Sequence, residues 1–146
     1  AGKLDGAPWR VYCVLGDGES QEGEVWEAAM TAAHYGLDNL CAVTDHNKVQ
    51  QTGRVDEIKG VAPLVGKWSA FGWHALEVDG HQIGEVLDAL HEARSTSGRP
   101  TMIVAHTVKG KGVSFMEGRS EFHGKAPDDE QLEQALAELG ADQSGD

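Results

Sequence analysis

Short apolar runs alternate with helix-patterned segments along this chain, and that alternation limits the fold more than any other feature. Val11–Leu15 ("VYCVL"), Leu40–Asp45 ("LCAVTD"), His74–Val78 ("HALEV") and Thr101–Ala105 ("TMIVA") are rich in β-branched or apolar residues and read as four strands. Between the first two, Glu22 to Gly36 carries Val25, Ala28, Ala29, Ala32 and Ala33 at helical spacing, which packs one face of a helix on a sheet. Between the third and fourth, Gln82 to Ser95 sets Ile83, Val86, Leu87 and Leu90 on one stripe. A shorter helix is expected over Pro63–Phe71. A last one is expected over Asp128–Leu139, with Asp128 and Gln131 in capping-box positions and Gly140 as its stop. Strand, helix, strand in repetition predicts an α/β fold: three layers, with a mainly parallel sheet covered by helices on both faces.

Composition narrows the partners. The 146 residues, 40% apolar, suit one compact domain over 1–140 with a frayed tail at 141–146. The balance of 24 acidic against 12 basic residues gives a net charge of −12, a field that repels nucleic acid and anionic lipid. No apolar run approaches a membrane span and the first residues lack the apolar core of a signal peptide, so the expected setting is cytoplasmic. Cys13 and Cys41 both lie in apolar runs, where a thiol acts as a small hydrophobe, and no disulfide framework is indicated.

Two long segments break the alternation, "HNKVQQTGRVDEIKG" after the second strand and "VKGKGVSFMEGRSEFHGKAP" after the fourth. Both follow the carboxyl end of a strand, the edge where open parallel sheets bind ligands. Asp17 sits at that same edge between Gly16 and Gly18, which let a ligand approach the backbone and leave the following amides free for an anion. Alone, Gly-Asp-Gly marks an ordinary strand-to-helix turn. Asn47, at the end of the next strand, adds an amide oxygen, and the Val49 carbonyl lies close by. A carboxylate, an amide and a carbonyl make half of an octahedral oxygen shell, which magnesium completes with phosphate oxygens and water. Lys109 and Lys111 in "TVKGKG" bring positive charge on flexible glycines. The ligand implied is a magnesium diphosphate.

"LGDGESQEGEVWEA", "LDNLCAVTDHNKVQQTG", "FGWHALEVDGH" and "TVKGKGVSFME...FHGKAP" resemble, in order and spacing, the thiamine diphosphate-binding region of transketolases. The likeness is greatest to the separate N-terminal subunit of split bacterial and archaeal members. The resemblance implies a partial thiamin diphosphate-binding fold. It also implies Asp17, Asn47 and the Val49 carbonyl as magnesium ligands, and Gly16 and Gly18 beside the diphosphate. Lys109 and His123 would face the diphosphate and the reacting sugar. Glu22 would join a carboxylate network between paired active sites, and Gln51 would lie over the cofactor. The activity implied is transfer of a two-carbon ketol unit between sugar phosphates, by a homo-oligomer or with a C-terminal transketolase subunit that carries the pyrimidine domain.

The chain departs from the family in several places. The family's domain begins well upstream, with substrate-contacting histidines and a Gly-Ser-Leu-Gly-like loop that these residues do not contain. Lys48 stands where glycine often follows the metal-binding asparagine, and Phe122 where tryptophan is common. Two alternatives remain open: another thiamine diphosphate enzyme component, similar to 1-deoxyxylulose-5-phosphate synthase or a 2-oxo acid dehydrogenase, and a non-catalytic assembly module.

Other conspicuous residues read as structural. His34, His46, His74, His81, His91 and His106 carry no expected duty, and Trp26, Trp68 and Trp73 are expected in the core. Trp9 caps the first strand, Asp79-Gly80-His81 caps the helix after it, and Glu130, Glu133 and Glu138 form a solvated face.

Overall fold

In the computed structural model, which describes residues 1–140, the four strands expected from sequence become β1 (Val11–Gly16), β2 (Leu40–His46), β5 (His74–Asp79) and β6 (Thr101–His106). They form one parallel sheet in the order β1-β2-β6-β5. The crossover helices are α1 (Gly23–His34), α3 (Leu64–Ala70) and α4 (Ile83–Ser95), and α5 (Asp129–Glu138) closes the described chain. The tail expected at 141–146 lies outside the described residues.

Side chains alternate across the strands, so each face of the sheet receives its own layer. Ala42, Met102 and Val104 join Ala29 and Ala32 of α1 and Leu64 and Trp68 of α3 in one core. Cys41 and Ile103 join Ala89 and Ala93 of α4 in the other. Alanines at the contact let α1 and α4 approach the sheet closely. The aromatic residues then fill the wider space between α1 and α3: Trp26 and Trp68 centroids stand 5.1 Å apart, and Trp68 and Trp73 stand 4.8 Å apart edge-on. Such pairs add about 0.5–1.5 kcal/mol beyond their buried area. The three-layer expectation therefore holds, with α1 and α3 on one face and α4 on the other.

One strand departs from that pattern. β1 ends the sheet on one side, and Val11, Tyr12 and Val14 are 52%, 51% and 71% exposed. Cys13 is exposed as well, so only Cys41 behaves as the buried hydrophobe expected of both, and burial pushes its thiol pKa up. An apolar run looks the same in sequence whether one face or two find neighbours, which is why the edge position of β1 was not readable.

The two long segments are more ordered than loops. The first folds into a small antiparallel hairpin, β3 (Val49–Gln50) with β4 (Gly53–Arg54), followed by the short helix α2 (Val55–Lys59). The second runs from Thr107 to Pro127 with a single 3-10 turn, Ser120–Phe122, anchored by buried Val113 and Phe122. The capping box of α5 forms with both reciprocal bonds: Asp128 accepts from the Gln131 amide and the Gln131 side chain accepts from the Asp128 amide. Asp79 does not cap α4. Gln82 occupies that position without a side-chain bond, and the Asp79 carboxylate instead accepts from the His81 amide at 2.9 Å. Glu138 is not merely solvated either, because it accepts from the hydroxyl of Ser114 in the second long segment at 2.6 Å. Among the described residues no helix is long and apolar enough to cross a membrane.

Candidate active site

Register brings the strand ends level. Gly16 pairs with Asp45, Asp45 with Ala105, and His46 with His106, so whatever follows β1, β2 and β6 emerges along one edge. A cleft of 530 Å³ opens there. Gly16, Asp17, Gly18 and Glu22 line it after β1, Asn47, Val49 and Gln51 after β2, and Lys109 and His123 after β6. These nine residues thus face one space, whereas Lys111, the other lysine expected at this edge, does not line it and stands 3.9 Å from Glu117. A second hollow of 420 Å³ lies between β1 and α1. Leu15, Val25 and Trp68 line it together with Glu19, Glu22 and Glu24, of which Glu19 and Glu22 also line the cleft.

Asp17 is the deepest polar group of the cleft, 1% exposed. Burying a carboxylate is tolerated only where donors replace water. Here the Gly18 amide donates to Oδ1 at 2.8 Å, the Lys48 amide donates to Oδ2 at 2.6 Å, and His46 Nδ1 stands 3.1 Å from Oδ2. The Lys48 amide reaches Asp17 in a left-handed backbone conformation, φ 65°, which favours glycine and which this lysine nonetheless adopts. Asn47 is fixed from both ends of its amide: Oδ1 accepts from the Val49 amide and Nδ2 donates to Asp45 Oδ2, each at 2.9 Å. The Thr107 hydroxyl donates to the other oxygen of Asp45. Asp45 therefore ties the segment after β2 to the one after β6.

The start of α1 differs from expectation. A 3-10 turn, Glu19–Gln21, intervenes between the Gly-Asp-Gly corner and the helix, and the Gly16 amide is taken by Glu19 Oε2 at 3.0 Å. The Gly18 amide already donates to Asp17, so an incoming anion would share or replace that acceptor. Gly18 also has a packing reason to lack a side chain, since a Cβ there would stand 2.8 Å from Cβ of Gln50.

Lys109 and His123 come from the long segment after β6. The Gly118 amide closes the loop onto the Lys109 carbonyl at 2.9 Å. Gly110 follows with φ 69°, where a Cβ would meet the Met116 backbone at 2.8 Å. Among the described residues the Lys109 ammonium has no ion-pair partner, which leaves its charge for the cleft. His123 is exposed and immediately follows buried Phe122, whose ring packs on Phe115 with centroids 5.5 Å apart.

The donor set fits a hard divalent cation with a diphosphate: carboxylate, amide and carbonyl oxygens, with a lysine lining the same cleft. Among the described residues no three His, Cys, Asp or Glu side chains gather as a metal site. Reading the sequence missed His46, Asp45 and Gln50. Their only signal was proximity to Asn47 at the sheet edge.

The family model of the transketolase, thiamine diphosphate binding domain matches residues 5–145. The chain is 45% identical over 137 residues to the 6-deoxy-6-sulfo-D-fructose transketolase subunit of a Clostridium species, covering 94% of this chain and 50% of that protein. It is 45% identical over 139 residues to an apulose-4-phosphate transketolase subunit of Actinobacillus succinogenes, covering 95% and 50%. To human transketolase it is 41% identical over 136 residues, covering 93% and 21%. The solved transketolase from Campylobacter jejuni superposes with a TM-score of 0.84 at 31% identity, over 92% of this chain and 21% of that one. The chain thus spans about half the length of the curated subunits it matches. The parallel sheet, its ligand-facing edge and a family match over residues 5–145 agree, and the chain belongs to the transketolase thiamine diphosphate-binding domain family.

Proposed function

We propose that this chain is the thiamine diphosphate- and magnesium-binding portion of a transketolase-type enzyme, transferring a two-carbon ketol unit between sugar phosphates. The convergence of Asp17, Asn47, Val49, Lys109 and His123 from three separate strand ends on one cleft carries the reading. When bound, thiamine diphosphate supplies a reactive thiazolium carbon, the chemistry that no side chain provides. The chain's own residues do the holding. Asp17, Asn47 and the Val49 carbonyl hold the cation, Lys109 meets diphosphate charge, and Gly16 and Gly18 let that group close on the backbone. His123, exposed at the rim, meets a sugar hydroxyl. Gln51 covers the cofactor. Glu22 lines both hollows and so suits a carboxylate contact to a neighbouring protomer.

Relatives named as transketolase subunits support a separate partner chain; in this proposal that chain carries the pyrimidine domain, and the sites are paired in an oligomer. The test is ketol transfer and cofactor titration on the chain assembled with such a partner and the upstream residues. Lys109→Ala should weaken diphosphate affinity about 10- to 100-fold, for a charge-assisted bond of about 1.5–3 kcal/mol. His123→Ala should lower turnover more than cofactor affinity. An assembly without transfer, or two variants with the same loss of cofactor binding and nothing else, would refute the proposed roles.

A further inference from the structure

We propose that Gln21 is a positioning residue that holds the β3–β4 hairpin, through Gln50, as a wall of the cleft, so that Gln51 is set in place over the cofactor. The inference rests on the thiamine diphosphate reading of that cleft. A two-stranded hairpin is marginal by itself, and β3 and β4 are two residues each, paired only with one another. Its root is secure: Val49 and Val55 are buried, and the Val55 amide donates to the Lys48 carbonyl at 3.0 Å. Its tip is open, with Gln51 and Thr52 exposed. Among the described residues, the hydrogen bond that reaches residues 50–54 from beyond the hairpin and α2 comes from Gln21, whose Nε2 donates to Gln50 Oε1 at 2.6 Å.

Donors and acceptors fix the orientation. The Lys59 carbonyl only accepts, and it stands 2.8 Å from the same Gln21 nitrogen, so the Gln21 amide can face only one way. That nitrogen must then meet the oxygen of Gln50, which turns Gln50 Nε2 toward Thr52 Oγ1, 3.3 Å away. Gln51 is therefore flanked by two residues tied to each other and, through Gln50, to Gln21. The tie has a firm base. Gln21 closes the 3-10 turn, its amide donates to the Gly18 carbonyl at 3.1 Å, and its carbonyl accepts from Lys59 Nζ at 3.3 Å. One residue thus fastens the corner after β1 to the hairpin after β2 and to the end of α2. An untethered tip would have to be ordered on binding, which costs affinity.

The experiment measures thiamine diphosphate affinity by calorimetry in saturating magnesium chloride, on the full chain assembled with its partner and the upstream residues. Wild type is compared with Gln21→Leu, Gln50→Leu and the double variant, and hydrogen exchange of residues 50–54 and the urea midpoint are read on each. Each single variant strands one amide and should lose about three- to tenfold in affinity, with faster exchange at 50–54. The double variant replaces both partners by apolar groups of similar size and should recover most of that loss. The urea midpoint should barely move, as for other substitutions outside the core. Unchanged affinity in Gln21→Leu, single losses that simply add in the double variant, or a loss of affinity matched by a fall in the urea midpoint overturns the inference and leaves the proposed function standing. A wild type that binds no thiamine diphosphate overturns both. Nitrogen NMR of wild type needs no variant to fold: Gln21 carboxamide protons that exchange more slowly than those of a free glutamine side chain support the inference, and equal rates overturn it.

Discussion

Replacing Asp17 by alanine measures how much of this residue is strut and how much is ligand. Without any metal, the carboxylate already holds three donors from two strand ends: the Gly18 and Lys48 amides and His46 Nδ1. Removing it leaves each of them unpartnered. A buried donor so stranded costs about 1–3 kcal/mol. Both amide bonds are only partly buried, so the lower figure applies. The sum is about 3 kcal/mol, partly offset because a desolvated carboxylate disappears too. With a urea slope of about 1–3 kcal/mol per molar, the midpoint should fall by about 1–3 M. The assay is urea unfolding without magnesium or cofactor, followed by the fluorescence of buried Trp68 and Trp73. An unchanged midpoint would refute the strut. A raised one would show that burial of the charge outweighs its three bonds, and that the residue is kept for function at the expense of stability.

Three further outcomes are expected. Lys48→Gly should stabilise the fold by about 0.5 kcal/mol, as relief of a left-handed lysine exceeds the added flexibility of glycine, and a loss of stability in the same urea assay would contradict that. Gly110→Ala should push the chain off Met116 and carry Lys109 with it, weakening diphosphate binding about tenfold or more in calorimetry, whereas unchanged affinity would show that the loop does not position the lysine. Bonds from Ser114, its hydroxyl first, hold the Glu138 carboxyl below its ordinary value of 4.5. A depressed carboxyl contributes its stability above the unfolded value and loses it as pH falls through the folded one. The protection of the Ser114 amide, its exchange compared with an unprotected amide at the same pH, should therefore fall on acidification in wild type and not in Glu138→Gln.

Sequence reading reached furthest where the signal was local. The four strands were located to within a residue at each end, and the α5 capping box was legible because Asp128 and Gln131 stand one turn apart. The hairpin β3–β4 was not, since two-residue strands in a Gln-Gln-Thr-Gly setting carry no periodicity. Neither was α2, five residues without a side-chain cap. At the candidate site, residue types and spacing pointed to Gly16, Asp17, Gly18, Asn47, Val49 and Lys109, and the family resemblance added Glu22, Gln51 and His123. The groups that hold them were hidden, because His46 meets Asp17 and Thr107 meets Asp45 only after parallel strands pair. The Asp79 turn misled for the opposite reason: an Asp before a helix reads as a cap until the backbone shows that Gln82 starts it.

The sheet's connectivity also governs when the cleft can exist. β1 pairs Val11 with Leu40, and β2 pairs Cys41 with Thr101, so the loops that form it come from strands joined only by long-range closure. Such contacts form late, after loop entropy has been met. A partly folded or nascent chain therefore presents Asp17, Asn47 and Lys109 far apart and offers a ligand nothing to grip. Binding adds free energy to the native state alone, in proportion to the logarithm of free ligand over its dissociation constant. In a cell, where chaperones and proteases sort chains by the fraction unfolded, the supply of ligand would then set how much of this protein survives as well as how much is active.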